Sequence, residues 1–233
     1  MVMCAMKKER RKRIKLADRV LPIYTKGEEI FNMVTHIVGG GVGIITLTLC
    51  VIIAALKGNI AGIITGAIFG FTMIALYTMS SVYHGLRAGT AKKVFQIIDH
   101  CTIYLLIAGT YTPIMVCALS KTAPLNAWLT LAAVWVLAII ATTLTAIDLK
   151  KYKVFSNICY VGMGWAVIFS MKETYHCLGT AGFWLLLSGG LAYTLGVVFY
   201  GFGKRVKYFH SIFHIFVIVG SVLQALCIMI SVL

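Results

Sequence analysis

Seven apolar segments, separated by short connections, constrain this chain more than any other feature of its sequence. They lie near residues 31–56, 60–83, 96–119, 125–147, 154–171, 181–201 and 210–232. A helix needs about 20 apolar residues to cross roughly 30 Å of hydrocarbon, and the fifth and shortest segment comes close to that length. Since backbone polar groups within lipid must be hydrogen-bonded internally, we predict an all-α integral membrane protein that forms a bundle of seven transmembrane helices.

The composition supports a membrane protein and excludes a soluble globular domain. Of the 233 residues, 60% are hydrophobic and 12% are charged, whereas soluble domains contain about 25% charged residues. The segments use almost the whole chain. We therefore predict two parts, a cytosolic basic tail at residues 1–27 and a membrane domain at residues 28–233. The predicted location is the cell membrane (plasma or bacterial inner), which the chain crosses several times.

The formal charge of +14 reflects basic residues that are concentrated on one side of the predicted membrane. Of 21 Lys and Arg residues, nine lie in the tail and nine in three alternate connections. Because cytosolic segments carry the excess of Lys and Arg, we predict a cytosolic N-terminus and an outside C-terminus, opposite to G-protein-coupled receptors. The predicted partners are membrane lipids, with anionic headgroups at the basic tail, and not nucleic acid. The pattern predicts no particular oligomeric state.

Four ionisable residues from three segments are predicted to lie at one depth. His84 ends the second segment, Asp99 opens the third, and His210 and His214 open the last, all on the cytosolic side. His210 and His214 are one helical turn apart and therefore share a face. Three protein ligands with water in the fourth position is the arrangement of catalytic zinc, and a nearby carboxylate can hold or deprotonate that water.

Each of these residues also has an interpretation without a metal. A histidine pair at a helix end often reaches lipid headgroups, and a single histidine such as His84 can be a hydrogen-bonded core residue. A carboxylate such as Asp99 is favoured by the helix dipole near a helix N-terminus. The shared depth favours a joint metal site, with these alternatives open at this stage.

The second and third segments carry further signals of inward-facing surfaces. Gly62, Gly66 and Gly70 form a stripe that lets a neighbouring helix approach closely, and Ser80 lies on the same side as this stripe, as does His84. The glycines are equally compatible with helix packing alone. In the third segment, Pro113 should loosen or kink the helix toward its outer end.

Four motifs, in this order along the chain, carry a resemblance to a known family. They are Glu29-xx-Asn32-xx-Thr35-His36, Ser80-xxx-His84, Asp99 within Ile-Asp-His-Cys-Thr-Ile-Tyr-Leu-Leu-Ile-Ala-Gly-Thr-Tyr-Thr-Pro, and His210-xxx-His214. Together they resemble the hemolysin III branch of the progestin and adipoQ receptor family, which includes the adiponectin receptors. The resemblance covers nearly all of the chain after residue 27.

The resemblance implies a seven-helix fold with a cytosolic N-terminus and a zinc ion, Zn²⁺, held by His84, His210 and His214. It also implies a water between the metal and Asp99, with Ser80 beside it. The family is similar to alkaline ceramidases, which suggests hydrolysis of a lipid amide. In bacterial members the implied role is membrane homeostasis, with an older cytolysin label.

The first motif is expected to support the site rather than to bind metal directly. His36 lies about two turns into the first segment, where a structural hydrogen-bonding role is favoured over ligation. Glu29 and Asn32 are expected either to support the ligands or to cap a helix.

Three classes of function remain after the sequence analysis. The leading hypothesis is a zinc-dependent membrane hydrolase of a lipid amide or ester, or a lipid-sensing protein of this family, with Asp99 and Ser80 as the catalytic candidates. The second is a non-enzymatic sensor or receptor with a structural zinc. The third is a pore-former, which is disfavoured because the ionisable residues cluster in one leaflet instead of following the depth of the membrane.

Overall fold

A computed structural model describes residues 16–203 and 205–233, and all regular secondary structure within these ranges is helical. Residues 1–15, which form most of the predicted basic tail, and Lys204 lie outside the described residues. The α-helices are α1 (Lys26–Leu56), α2 (Ile60–Gly85), α3 (Thr90–Pro113), α4 (Pro124–Ile147), α5 (Lys153–Gly164), α6 (Met171–Phe202) and α7 (Phe209–Ser231).

The described chain contains six helical stretches that are long and apolar enough to cross a membrane. Five of them are α1, α2, α4, α7 and the stretch Thr90–Lys121, which includes α3. The sixth is the continuous stretch Lys153–Phe202 of 50 residues, which contains α5 and α6.

Helix α1 begins at Lys26, inside the predicted tail and earlier than the predicted residue 31, because a capping box fixes its first turn. The Thr25 hydroxyl oxygen accepts a hydrogen bond from the Glu28 N–H at 3.3 Å, and the Glu28 carboxylate accepts from the Thr25 N–H at 2.8 Å. This pairing satisfies two donors that a helix N-terminus otherwise leaves free. The hydrophobic pattern did not indicate this turn because most of its residues are polar.

Helix α3 ends at Pro113, as the proline predicts. The helix continues as a π-helix over Ile114–Ala118 and a 3₁₀ helix over Leu119–Lys121. Proline lacks the N–H that an α-helix requires, and its ring clashes with the carbonyl group four residues earlier. A change in the hydrogen-bonding pattern near this position is therefore expected.

The fifth and sixth predicted segments differ from the observed helices. The predicted segment 154–171 consists of α5 followed by a 3₁₀ helix over Ala166–Ser170, and α6 begins at Met171 rather than near 181. Within α6, Gly179 has non-helical dihedral angles of φ 66° and ψ 177°. Glycine adopts this positive φ without steric cost, so the chain can change direction there.

The glycines of α2 pack against α1, as the stripe predicts. A Cβ atom on Gly66 would lie 2.9 Å from the Cys50 Cβ, and one on Gly70 would lie 2.5 Å from the Leu47 Cα. The end of α2 is also buried, since Ser80 is 1% and His84 is 3% exposed.

A cavity runs through the bundle between α2, α3, α5, α6 and α7. Its volume is about 1600 Å³ when its open mouth is included. Along α3 and the π-helix that follows it, the lining extends from Asp99 to Met115, which corresponds to about 24 Å of helix axis at the α-helical rise. The cavity therefore follows most of the thickness of a membrane.

Gly70→Ala should destabilise the protein because the added methyl group meets the Leu47 backbone of α1. We expect a loss of about 1–3 kcal/mol, as for other overpacked contacts. Gly41→Ala is the matched control, since no atom lies within 4 Å of a Cβ at Gly41 and alanine is the better helix former. Thermal unfolding followed by circular dichroism in detergent measures the difference, and equal melting temperatures for the two variants would contradict the packing.

Candidate metal centre

Three histidines meet at the end of the bundle where α1, α3 and α7 begin and α2 ends. We call this the N-terminal end of the bundle. One ring nitrogen from each of His84, His210 and His214 lies within 4.8 Å of the others, and all three residues are buried. The structure thus brings together the three histidines that the sequence placed at one depth.

The two histidines of α7 direct the same ring nitrogen toward a common point. The Nε2 atoms of His210 and His214 are 3.1 Å apart. Two nitrogens bound to one tetrahedral ion at about 2.0–2.1 Å are separated by about 3.3 Å. The observed spacing is therefore close to that of two ligands of a single ion.

His84 is oriented by a carboxylate from α1. The His84 Nδ1 lies 2.7 Å from the Glu29 Oε2, and a neutral ring that donates a hydrogen bond from Nδ1 to this carboxylate has its lone pair on Nε2. That Nε2 atom is buried and has no hydrogen-bond partner among the described residues. A carboxylate behind a metal-binding histidine fixes the tautomer and makes the ring a stronger ligand.

Glu29 is in turn neutralised by a buried lysine from α3. Lys92 is 5% exposed, and its Nζ donates to the Glu29 Oε1 at 2.8 Å and to the Leu86 carbonyl at 3.0 Å. A buried charge is tolerated when it is paired and hydrogen-bonded. The series Lys92, Glu29 and His84 therefore links the ends of three helices behind the candidate metal position.

These residues fit a zinc ion. The donor set consists of imidazole nitrogens, which zinc accepts readily. One donor, the His84 Nε2, is buried without a hydrogen-bond partner in the part of the chain that the structure describes, and burial of such an atom is costly unless it acquires a partner. The same set would also suit other divalent transition metals.

Asp99 and Ser80 lie beside the three histidines. Both residues line the cavity, as do His210 and His214. Asp99 does not belong to the group of close ring nitrogens. Asp99 thus lines the cavity without being one of the three clustered groups.

His100, which follows Asp99, has other partners. Its Nδ1 is 2.8 Å from the Gln96 carbonyl and 3.5 Å from the Asp99 Oδ2, and its Nε2 is 3.2 Å from the Tyr200 hydroxyl. These contacts hold the ring against α6 and leave neither nitrogen directed at the three histidines.

Asn32 and His36 belong to the same motif as Glu29, and the hydrogen-bonding role expected for His36 is not seen among the described residues. Neither the Asn32 amide nor the His36 ring has a hydrogen-bond partner among the described side chains and backbone. Instead, His36 stacks on His214 with a centroid distance of 3.7 Å and contacts Tyr77 edge-on at 5.0 Å. The capping role belongs to Glu28 rather than to Glu29 or Asn32.

Aromatic residues outside the predicted set complete the site. The Tyr24 ring, just before α1, stacks on His210 with a centroid distance of 5.0 Å and an interplanar angle of 21°. Burial raises the pKa of the Tyr24 phenol above its ordinary value, so the ring is neutral. Tyr208, just before α7, has a left-handed φ of 62°, and its N–H donates to the Glu28 Oε1 at 2.7 Å.

Sequence reasoning missed Lys92 because it was counted with the basic residues that set orientation. A signal was available: Lys92, Gln96 and Asp99 are spaced four and three residues apart, which places them on one helix face. No comparable pattern marks Tyr24, whose contact with His210 joins residues 186 positions apart.

Comparison with known proteins identifies the family of the chain. Residues 24–225 match the family described as Haemolysin-III related. The chain is 36% identical to Hemolysin-3 of Bacillus cereus over 206 residues, which cover 88% of this chain and 92% of that protein. It is also 36% identical to the Hemolysin-3 homolog of Bacillus subtilis (strain 168), with coverage of 89% and 95%.

A human protein is related at lower coverage. The Monocyte to macrophage differentiation factor of Homo sapiens is 32% identical over 165 residues, which cover 66% of this chain and 64% of that protein. With its apolar helices, the chain is a multi-pass protein of the cell membrane. It belongs to the Haemolysin-III related family.

Proposed function

We propose that this protein is a zinc-binding membrane hydrolase that cleaves an amide or ester bond of a lipid and acts in membrane lipid homeostasis. One observation carries the proposal. Three buried histidines converge at the end of a long cavity that is also lined by Asp99 and Ser80. A hydrolase of this kind needs a metal-binding group, a carboxylate and space for an apolar chain, and these features support the proposal.

The proposed topology has seven crossings, a membrane domain from residue 28 onward, a cytosolic N-terminus and an outside C-terminus. The stretch Lys153–Phe202 contains 50 residues, or about 75 Å of helix, more than twice the hydrocarbon thickness. Two crossings separated at Gly179 fit this length, since the helix is interrupted there. The distribution of Lys and Arg supports the orientation, and the N-terminal end of the bundle is then cytosolic.

His84, His210 and His214 would hold the zinc, and Glu29 and Lys92 would fix the orientation of His84. When bound, a zinc ion supplies polarisation of a carbonyl group and lowers the pKa of a water. The absence of a fourth protein ligand from the group of close nitrogens, among the described residues, leaves room for such a water.

Asp99 would take the proton from the attacking water and return it to the leaving group. A general base must be within hydrogen-bond reach of its proton, and Asp99 lines the same cavity as two of the histidines. Ser80 would hold the Asp99 carboxylate in position by its hydroxyl group. His100 contacts the other side of Asp99 and would restrict its movement.

The shape and lining of the cavity support a lipid substrate. Beyond the polar residues near Asp99, its walls are formed mainly by apolar side chains such as Ile103, Leu106, Ile107, Ile114 and Met115. An acyl chain placed along α3 would exclude water from this space while its carbonyl group lies near Asp99. The apolar lining gives an ion little to replace its hydration shell, which argues against a pore as the alternative function.

Asp99→Asn should abolish hydrolysis while the protein still binds zinc. The test uses purified protein in proteoliposomes that contain a ceramide and a phosphatidylcholine, with mass spectrometry of the released fatty acid. We expect release to fall by about 10²–10⁴-fold, as for loss of a general base, with zinc content equal to that of the wild type. The matched control is Asp148→Asn, a carboxylate at the C-terminus of α4.

Two outcomes would overturn parts of this proposal. Equal release by the wild type and Asp99→Asn would exclude Asp99 as the base. If zinc is bound and the wild type releases no fatty acid from either lipid, the result would instead favour a sensor with a structural zinc.

Glu29→Gln should weaken zinc binding because the His84 Nδ1 loses its carboxylate acceptor and Lys92 loses its counter-charge. We expect an affinity loss of about 10–100-fold, which is typical when the partner of a ligand is removed. Competition with a chromophoric chelator measures the affinity in detergent. Glu173→Gln in α6 is the control, and an unchanged affinity in Glu29→Gln would show that the carboxylate does not support the metal.

A further inference from the structure

The segment from Leu16 to Thr25, here called the N-terminal strap, lies across the N-terminal end of the bundle. Its Tyr24 ring stacks on His210 and lies 5.8 Å from the His84 ring, measured between centroids. At its other end, the Ala17 carbonyl accepts a hydrogen bond from Lys93 of α3. The strap thus contacts two of the three histidines and a third helix.

Hydrogen bonds at Glu28 anchor the strap beside Tyr24. The Glu28 Oε2 accepts from both the N–H and the hydroxyl of Thr25, each at 2.8 Å. The Glu28 Oε1 accepts from the Tyr208 N–H at 2.7 Å. Because this carboxylate joins the end of the strap to the start of α7, it fixes Tyr24 in register with His210, two residues after Tyr208.

The cavity approaches the three histidines from the opposite direction. His210 and His214 are among the residues that line it, whereas Tyr24 and His84 are not. The histidines therefore separate Tyr24 from the cavity. One face of the His210 ring is covered by the strap, and the site opens toward the interior of the bundle.

We propose that the Tyr24 ring covers the three-histidine site at the N-terminal end of the bundle. Access to the site then runs through the cavity between the helices. This inference rests on the proposed function for its role in catalysis. A lipid would then reach the site from within the bilayer, and a water-soluble amide or ester would be a poor substrate. Exchange of the metal with the cytosol would require the strap to move.

The first experiment tests the cover without any metal. The full-length, metal-stripped protein in detergent is treated with diethyl pyrocarbonate, which modifies neutral imidazoles in water, and the modification of each histidine is followed by mass spectrometry. Tyr24→Ala should raise the modification rate of His210 by at least about tenfold, since local opening exposes groups that packing protects. His176, which is exposed, serves as the internal reference and should react at the same rate in both proteins.

Two variants separate the cover from general damage to the fold. Tyr24→Phe retains the stacked ring and should keep the slow His210 modification of the wild type. Ile23→Ala removes a neighbouring side chain that is 96% exposed and should also leave the rate unchanged. An unchanged His210 rate in Tyr24→Ala, or an equal increase in Tyr24→Phe, would overturn the proposal.

The second experiment measures zinc release to excess EDTA from the loaded protein. Tyr24→Ala should release zinc at least about tenfold faster than the wild type, while Tyr24→Phe should match it. A release rate that is equal in all three proteins would contradict the cover. If the wild type holds no zinc, the proposed function fails, and the modification of His210 still decides the role of Tyr24.

Discussion

The hydrogen bond between Glu29 and His84 is the interaction on which the rest of the site depends. It joins α1 to α2 at 2.7 Å, and Lys92 extends it to α3. These three buried polar groups are stable together because the carboxylate accepts one hydrogen bond from the imidazole and one from the ammonium group. Among the described residues the His84 Nε2 has no hydrogen-bond partner, so the contact that joins three helix ends also leaves this nitrogen available as the proposed metal ligand.

The bundle is chemically divided along its length. Polar and ionisable groups are gathered at the N-terminal end, and the cavity that leads away from them is lined mainly by apolar side chains. Gly66 and Gly70 allow α2 to pack closely against α1, and the same helix carries His84 near its buried end.

The sequence predicted an all-helical membrane protein and the identity of the converging histidines, because both follow from periodicity and from the depth of each residue in its segment. It did not predict the capping box that starts α1 at Lys26, since that turn is polar, nor the division of residues 154–171 into α5 and a 3₁₀ helix. The contacts of Lys92 and Tyr24 were missed for a different reason. They depend on how helix ends meet, and hydropathy carries no information on pairings between distant residues.

The proposed function requires that the three histidines bind a metal ion together. Zinc content by mass spectrometry, combined with X-ray absorption at the zinc edge, should be measured for the wild type and for the His210→Ala, His214→Ala double variant. We expect about one zinc per wild-type chain, coordinated by imidazole nitrogens at about 2.0–2.1 Å, and little or none in the variant. Equal zinc in the two proteins, or a wild-type spectrum without imidazole ligands, would contradict it.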